Sequence, residues 1–318
     1  MLKVREEIKD IIGIKSGALL SEVEYRVIDS VKENGYERQL IEFDSYADKV
    51  IAYLLIPEVS RKSPGILINH QHNGERHLGK SEVCGLAGNP LQAFGPILAR
   101  KGFVVLAPDS ICFEERRKGG SGTIPLSDYD DFLQHYNEMC YRIVKGETLM
   151  KKVLLDAMNG VTLLSKLAFV DKKNIGTLGH SYGGNTVLFL CALDERLSFS
   201  CASGSASTYH NRMMNNVGIE MASVIPYFNQ KYDIQDLVRL IAPRRLLVVS
   251  AEADKYSQDA GFIIEQAMPT YLEHGHGDKL CHMRYSGGHD LTKERFDFIV
   301  NWIVHAGLQS NKGEFNYD

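Results

Sequence analysis

Residues 178–186 read "LGHSYGGNT", so Gly179, Gly183 and Gly184 crowd around Ser181. A turn that only reverses the chain needs one glycine. Here a Gly-x-Ser-x-Gly pattern follows an apolar, strand-like run, "NIGTL", and precedes a helix-like run, "NTVLFLCAL". A sharp strand-to-helix turn forces its serine into a strained backbone conformation that bulky neighbours would block. Gly179 and Gly183 let such a turn close, and Gly184 lets the helix pack near the sheet. The amide of Tyr182 then sits at the helix N-terminus, facing the place where an oxyanion would form. The chemistry on offer is nucleophilic. The plainer reading, a Gly-rich turn with a capping serine, fails only if a base and an acid accompany Ser181.

A serine hydroxyl attacks when a base takes its proton and an acid orients that base. Of the eleven histidines, His289 in "YSGGHDL" lies late in the chain, in a Gly-rich loop after a strand and before the last helix. His274 and His276 read as the exposed end of a helix, and His180 must point away from Ser181 and pack. For the acid, Asp254 ends "LLVVSAEAD" directly after a strand; Glu252 competes, and Asp259 reads as a helix cap. A second oxyanion donor should come from the loop "NHQHNGERHLGKSEV". His70 ends its strand, so the amide of Gln71 or His72 should face the serine, and His72 is favoured. His70, His72 and His77 raise a zinc reading, but no carboxylate or cysteine pattern completes a site, so no metal is expected.

The elements that must position these groups alternate. "YERQLIEF" and "KVIAYLLI" predict an antiparallel pair before residue 57. "GILINH", "FVVLAP", "NIGTLGHS", "FSCASGSA" and "RRLLVVSAEAD" then predict strands separated by helices. A long helix is predicted over about 147–168, and a C-terminal helix carries Phe296, Ile299, Val300 and Ile303. Such alternation implies a mostly parallel central sheet with helices on both faces. Residues 109–146 and 207–235 exceed a minimal connection; both leave the C-terminal ends of strands, where such sheets place ligands, and read as pocket walls. In the first, "SICFEERRKGG" places Phe113 beside Ser181 as an apolar wall, with a Glu–Arg pair among Glu114, Glu115, Arg116 and Arg117 bracing it. The plainer alternative is a solvated charged face.

At 318 residues, with 44% hydrophobic and 24% charged residues, the chain can bury a substantial core. A net charge of −4 gives no reason to expect nucleic acid or an anionic membrane as partner. The six cysteines form no CxxC pair and read as reduced thiols. The N-terminus has no apolar core of signal-peptide length, which places the protein in the cytoplasm as an expectation.

"GHSYGG", "EADKY" and "GGHD", with "HQHNGERHLGKSEVCGLAG" and "GFVVLAPDSICFEERR", resemble the α/β-hydrolase superfamily, and within it the dienelactone-hydrolase-like and acetyl-xylan-esterase-like serine esterases. The resemblance spans about residues 36–306. It implies an α/β-hydrolase fold over 36–318, with insertions at about 109–146 and 207–235 at the C-terminal edge of the sheet and a helical extension over 1–35 that could pack on a second subunit as a homodimer. It also implies Ser181 as nucleophile, His289 as general base and acid, Asp254 as orienting carboxylate and Tyr182 as an oxyanion amide. The activity implied is hydrolysis of small or short-acyl carboxylic esters through an acyl-enzyme, without a cofactor. Dienelactone hydrolases proper use a cysteine, and many lipases show HGGG where this chain has "HQHNG". The alternatives are a peptidase or amidase of the prolyl-oligopeptidase type, for whose large N-terminal propeller the chain has no room, and a non-catalytic binding module.

Overall fold

The structure, a computed structural model, describes residues 1–308; residues 309–318 of the domain expected over 36–318 lie outside the described residues. Helix α1 (Leu2–Ile12) precedes strands β1 (Tyr25–Glu33), β2 (Tyr36–Asp44) and β3 (Lys49–Pro57). Strand β4 (Ser63–Asn69) leads through α2 (Lys80–Val83) and α3 (Phe94–Arg100) to β5 (Val104–Pro108). Helices α4 (Asp128–Val144) and α5 (Leu149–Lys166) precede β6 (Val170–His180), α6 (Tyr182–Leu193) and β7 (Leu197–Ser203). Then follow α7 (Tyr209–Met214), α8 (Ile234–Ile241), β8 (Arg245–Ala251), α9 (Ala260–Glu273), β9 (Leu280–Tyr285) and α10 (Lys293–Leu308).

The strands form one nine-stranded sheet in the order β1-β2-β3-β5-β4-β6-β7-β8-β9. The first three strands and the β3–β5 pairing are antiparallel; from β5 to β9 every neighbour is parallel. Parallel strands need covering on both faces, and β4, β5, β7 and β8 are accordingly buried at nearly every position. One face carries a core built with α1, α5, α6, α8 and α9, including Phe43, Leu154, Phe189 and Tyr271. The other carries α3 and α10, with Phe94 stacked on Phe296 and Trp302 buried beside them.

Three local outcomes differ from the sequence reading. The antiparallel pair expected before residue 57 is a three-stranded unit, and the segment 1–35 is helical only over Leu2–Ile12. The reason is the two-residue Asn34-Gly35 connection, with Gly35 at φ 87°, which folds the β-branched run of β1 back onto β2. Helix α1 buries Ile8 and Ile12 on its own chain, where Arg5 donates to Ala192 O at 2.8 Å and pairs with Glu195. Finally, the excursion at 109–146 contains a regular helix, α4, capped by Ser127 and opened by Asp128, Asp130 and Asp131. Its exposed Tyr129, Phe132 and Tyr136 blur the apolar periodicity that would have marked it.

Candidate active site

Strand β6 ends at His180 and α6 begins at Tyr182, so Ser181 alone makes the turn, at φ 56° and ψ −118°. Only close backbone contact holds a non-glycine residue there. The Ser181 amide donates to Ser203 O on β7 at 2.8 Å. A Cβ on Gly183 would lie 2.0 Å from Asn69 O, and one on Gly179 would lie 2.3 Å from the Gly183 carbonyl group. The crowding of glycines noted in the sequence is therefore steric: the turn is pressed between β4 and α6.

The loops after β8 and β9 bring two further groups to this turn. Ser181 Oγ lies 2.8 Å from His289 Nε2, and His289 Nδ1 lies 3.0 Å from Asp254 Oδ1. Asp254 is buried and accepts from the Tyr256 amide at 2.9 Å and the Ser257 hydroxyl at 2.6 Å. Burial pushes its carboxyl up, but the bonds from His289 and Ser257 outweigh that and hold it below the usual range. The His289 ring is flanked by Tyr256 and His180, with centroids at 4.9 and 5.0 Å. His180 itself is buried and bonded to Ser203 Oγ, so it packs. Of the competing acids, Glu252 is exposed, and Asp259 binds the amide and hydroxyl of Thr208 instead of capping its own helix.

The loop after β4 is fixed by its histidine rings. His70 is buried, bonds the Gln71 carbonyl through Nδ1 at 2.7 Å and accepts from the Ser110 amide through Nε2 at 3.0 Å. His72 Nδ1 accepts from the Gly74 amide at 2.9 Å, which leaves Nε2–H to donate to Glu220 at 2.6 Å. His72 lines the cavity at Ser181, whereas the Gln71 side chain is turned away onto Glu82. Tyr182 turns its ring inward, its hydroxyl 2.6 Å from Ser110 Oγ. His70, His72 and His77 do not converge. Among the described residues the set close enough to share a cation is Asp109, Glu114 and Glu115, and the Lys80 ammonium already contacts all three.

The segment 110–120 needs correcting. Phe113 does not line the cavity; it is fully buried behind it, stacked on the Tyr182 ring at 5.4 Å and edge-on to His70. Glu114 and Arg116 do not pair with each other, and the charged run is no solvated face. Glu114 is buried against Lys80 and the Ser81 amide, Arg116 reaches Asp156 and Asp48 at 2.9 Å, and Arg117 is bidentate to Asp131. Each charge finds its partner on another element, so the loop folds inward.

The cavity at Ser181 and His289 encloses about 300 Å3. Of the two excursions only 207–235 contributes to its wall, through Arg212, Gly218, Ile219, Glu220 and Met221. Arg76, Asn185 and Tyr256 line it from other elements. Sequence reasoning missed these polar residues; the one available signal was that residues 207–235 leave the C-terminal end of β7.

The chain is similar to several known proteins. The sequence pattern of the prolyl oligopeptidase family matches residues 135–262. YtaP of Bacillus subtilis (strain 168), assigned as a hydrolase, is 24% identical over 88% of this chain and 92% of its own. A Bacteroides fragilis NCTC 9343 protein assigned as an acetyl xylan esterase superposes with a TM-score of 0.73 at 16% identity, over 89% of this chain and 74% of its own. A glucuronoyl esterase from Solibacter usitatus superposes with a TM-score of 0.67 at 18% identity, over 95% and 92%. This is the α/β-hydrolase fold. In an α/β-hydrolase the nucleophile, acid and histidine follow in that order at strand ends. Ser181, Asp254 and His289 keep the order, after β6, β8 and β9. Among the described residues no helix is long and apolar enough to cross a membrane.

Proposed function

We propose that the protein is a serine hydrolase that cleaves small carboxylic esters through an acyl-enzyme. The observation that supports this is the unbroken line from Ser181 Oγ through the His289 ring to buried Asp254, opening on a cavity. Ser181 Oγ attacks the ester carbonyl while its proton passes to His289 Nε2, and Asp254 stabilises the imidazolium that results. The amides of Tyr182, at the start of α6, and of His72, on the cavity wall, receive the developing oxyanion. Collapse of the intermediate expels the alcohol, which takes the proton from His289. Water activated by the same ring then attacks the acyl group, frees the acid and restores Ser181. No step asks for a metal or cofactor. The ester reading is favoured over a peptidase by the esterase names of the structural neighbours, although the prolyl oligopeptidase pattern covers Ser181 and Asp254.

The test is labelling by a fluorophosphonate together with turnover of 4-nitrophenyl acetate. Wild-type protein should label and turn over. Ser181→Ala should do neither, losing about a thousandfold or more in rate while staying folded, because triad members act as a unit. Near-normal turnover by folded Ser181→Ala, or faster cleavage of peptidyl 4-nitroanilides than of any ester by the wild type, would sink the reading.

A further inference from the structure

Several inward-turned arginines in this protein are fully engaged. Arg117 grips Asp131 with two bonds, Arg116 joins Asp156 and Asp48, and Arg244 donates to the carbonyls of Cys191, Asp194 and Leu197. Arg76 departs from this. It is 5% exposed, lines the cavity beside Ser181, and makes one side-chain hydrogen bond, from Nε to His135 Nδ1 at 3.1 Å. Its guanidinium lies over the Phe132 ring at 5.4 Å, and among the described residues its terminal nitrogens have neither an acceptor nor a paired carboxylate. Arg212 lines the same cavity from α7, 6% exposed, held by the carbonyls of Gly218 at 2.8 Å and Tyr256 at 3.4 Å, likewise without a carboxylate partner. Burial presses both guanidinium groups below their ordinary range.

The carboxylates nearby, Glu220 for both, Asp131 for Arg76 and Asp259 for Arg212, offset this only in part and bond to neither. A charge held this deep without a bonded partner is costly unless something arrives to meet it. The lining contains one carboxylate, Glu220, and both of its oxygens are taken, by His72 and by the Met221 amide at 2.9 Å. His72 accepts from the Gly74 amide at Nδ1 and turns Nε2 to Glu220, so neither ring nitrogen is left over. Two guanidinium groups line the cavity, and none of the carboxylates around it bonds to either: Glu220 is taken by His72 and Met221, Asp254 by His289, Tyr256 and Ser257, and Asp259 by Thr208. The terminal nitrogens of Arg76 are thus left for a ligand, and the planar guanidinium fork matches a carboxylate.

We propose that Arg76, backed by Arg212, holds a free carboxylate on the substrate, so that the natural substrate is an ester whose acyl or alcohol half is itself an acid. This rests on the ester-hydrolase reading of the same site. The side of the scissile bond that carries the anion is separated by two matched pairs. For the acyl side these are 4-nitrophenyl hydrogen glutarate and its methyl ester; for the alcohol side, 4-acetoxybenzoate and its methyl ester.

In the wild type, the acid of at least one pair should exceed its methyl ester in kcat/KM by about tenfold or more, carried mainly by KM, since a charge-assisted bond is gained in binding. Arg76→Gln should collapse that ratio toward one. Should Arg76→Gln not fold, Arg76→Lys, which keeps the charge and loses the fork, should lower the ratio part of the way. A wild type that prefers neither acid, or a preference that survives unchanged in a folded Arg76 variant, overturns the inference. Hydrolysis of the methyl esters without any acid preference removes this inference alone. Failure to cleave all four esters or to take a fluorophosphonate label removes the ester reading and this proposal with it.

Discussion

Asp254 and Asp259 leave the same strand and have the same side chain, and their surroundings give them different roles. Asp254 faces His289 from a buried position, and its bonds to Tyr256 and Ser257 orient it. Asp254→Asn should therefore reduce ester turnover by about three to four orders of magnitude, because an amide neither stabilises the imidazolium nor keeps the required tautomer. Asp259 instead ties the amide and hydroxyl of Thr208, and with them the start of the excursion that walls the cavity. Asp259→Asn should cost roughly 1–2 kcal/mol of stability and leave the rate near that of the wild type. Turnover assays beside urea unfolding of both variants check the ranking. The reverse order would move the acid to the other position.

Among the elements, the coupling that matters most joins the loop after β4 to the excursion after β7. Glu220 accepts from His72 with one oxygen and from the Met221 amide with the other, so a single side chain pins both walls of the cavity. Although burial pushes its carboxyl up, His72 holds it well below the usual range. An amide can replace one of those acceptors and not both. Glu220→Gln should therefore lower kcat by about tenfold or more, below the full loss of an oxyanion donor, with the thermal midpoint little changed. A kcat equal to that of the wild type in folded Glu220→Gln would mean that the His72 backbone is held without this contact.

For the molecule as a whole, three buried histidines set a stability limit on the acid side. Burial pushes His70 down to about 4, and His135 and His180 to about 3. In the unfolded chain they titrate near about 6.5. As pH falls below that value the unfolded state takes up protons that the fold refuses until about 4 or 3. Their contribution is thus fully present above about pH 6.5 and lost progressively below it, by up to roughly 1–2 kcal/mol per histidine by pH 5. Urea unfolding at pH 7 and pH 5 should show that loss, and His135→Asn should flatten the slope by about a third. An unchanged slope in that variant would remove His135 from the acid sensitivity and leave it to His70, His180 and the carboxylates.

The sequence by itself determined what local pattern and chain order can carry. The glycines around Ser181 announced the strained turn because the steric demand lies within a few residues of the serine. The strand-ending positions of Asp254 and His289 were legible because a parallel sheet brings the C-terminal ends of its strands to one edge. The strand at Tyr25–Glu33 went unread: its signal was the Asn34-Gly35 turn, and because it is exposed on both faces no alternation of apolar and polar residues marks it. Only the tertiary structure decided the fate of "FEERR". Whether Glu114, Arg116 and Arg117 meet water or partners depends on Lys80, Asp156 and Asp131, which lie far from them in the chain or on a helix that the pattern concealed. The same holds for Arg76, Arg212 and Glu220: each is an ordinary surface-type residue in sequence, and only folding removes it from water and sets it around Ser181. Burial, and the charge balance that burial makes consequential, is a property of the assembled fold.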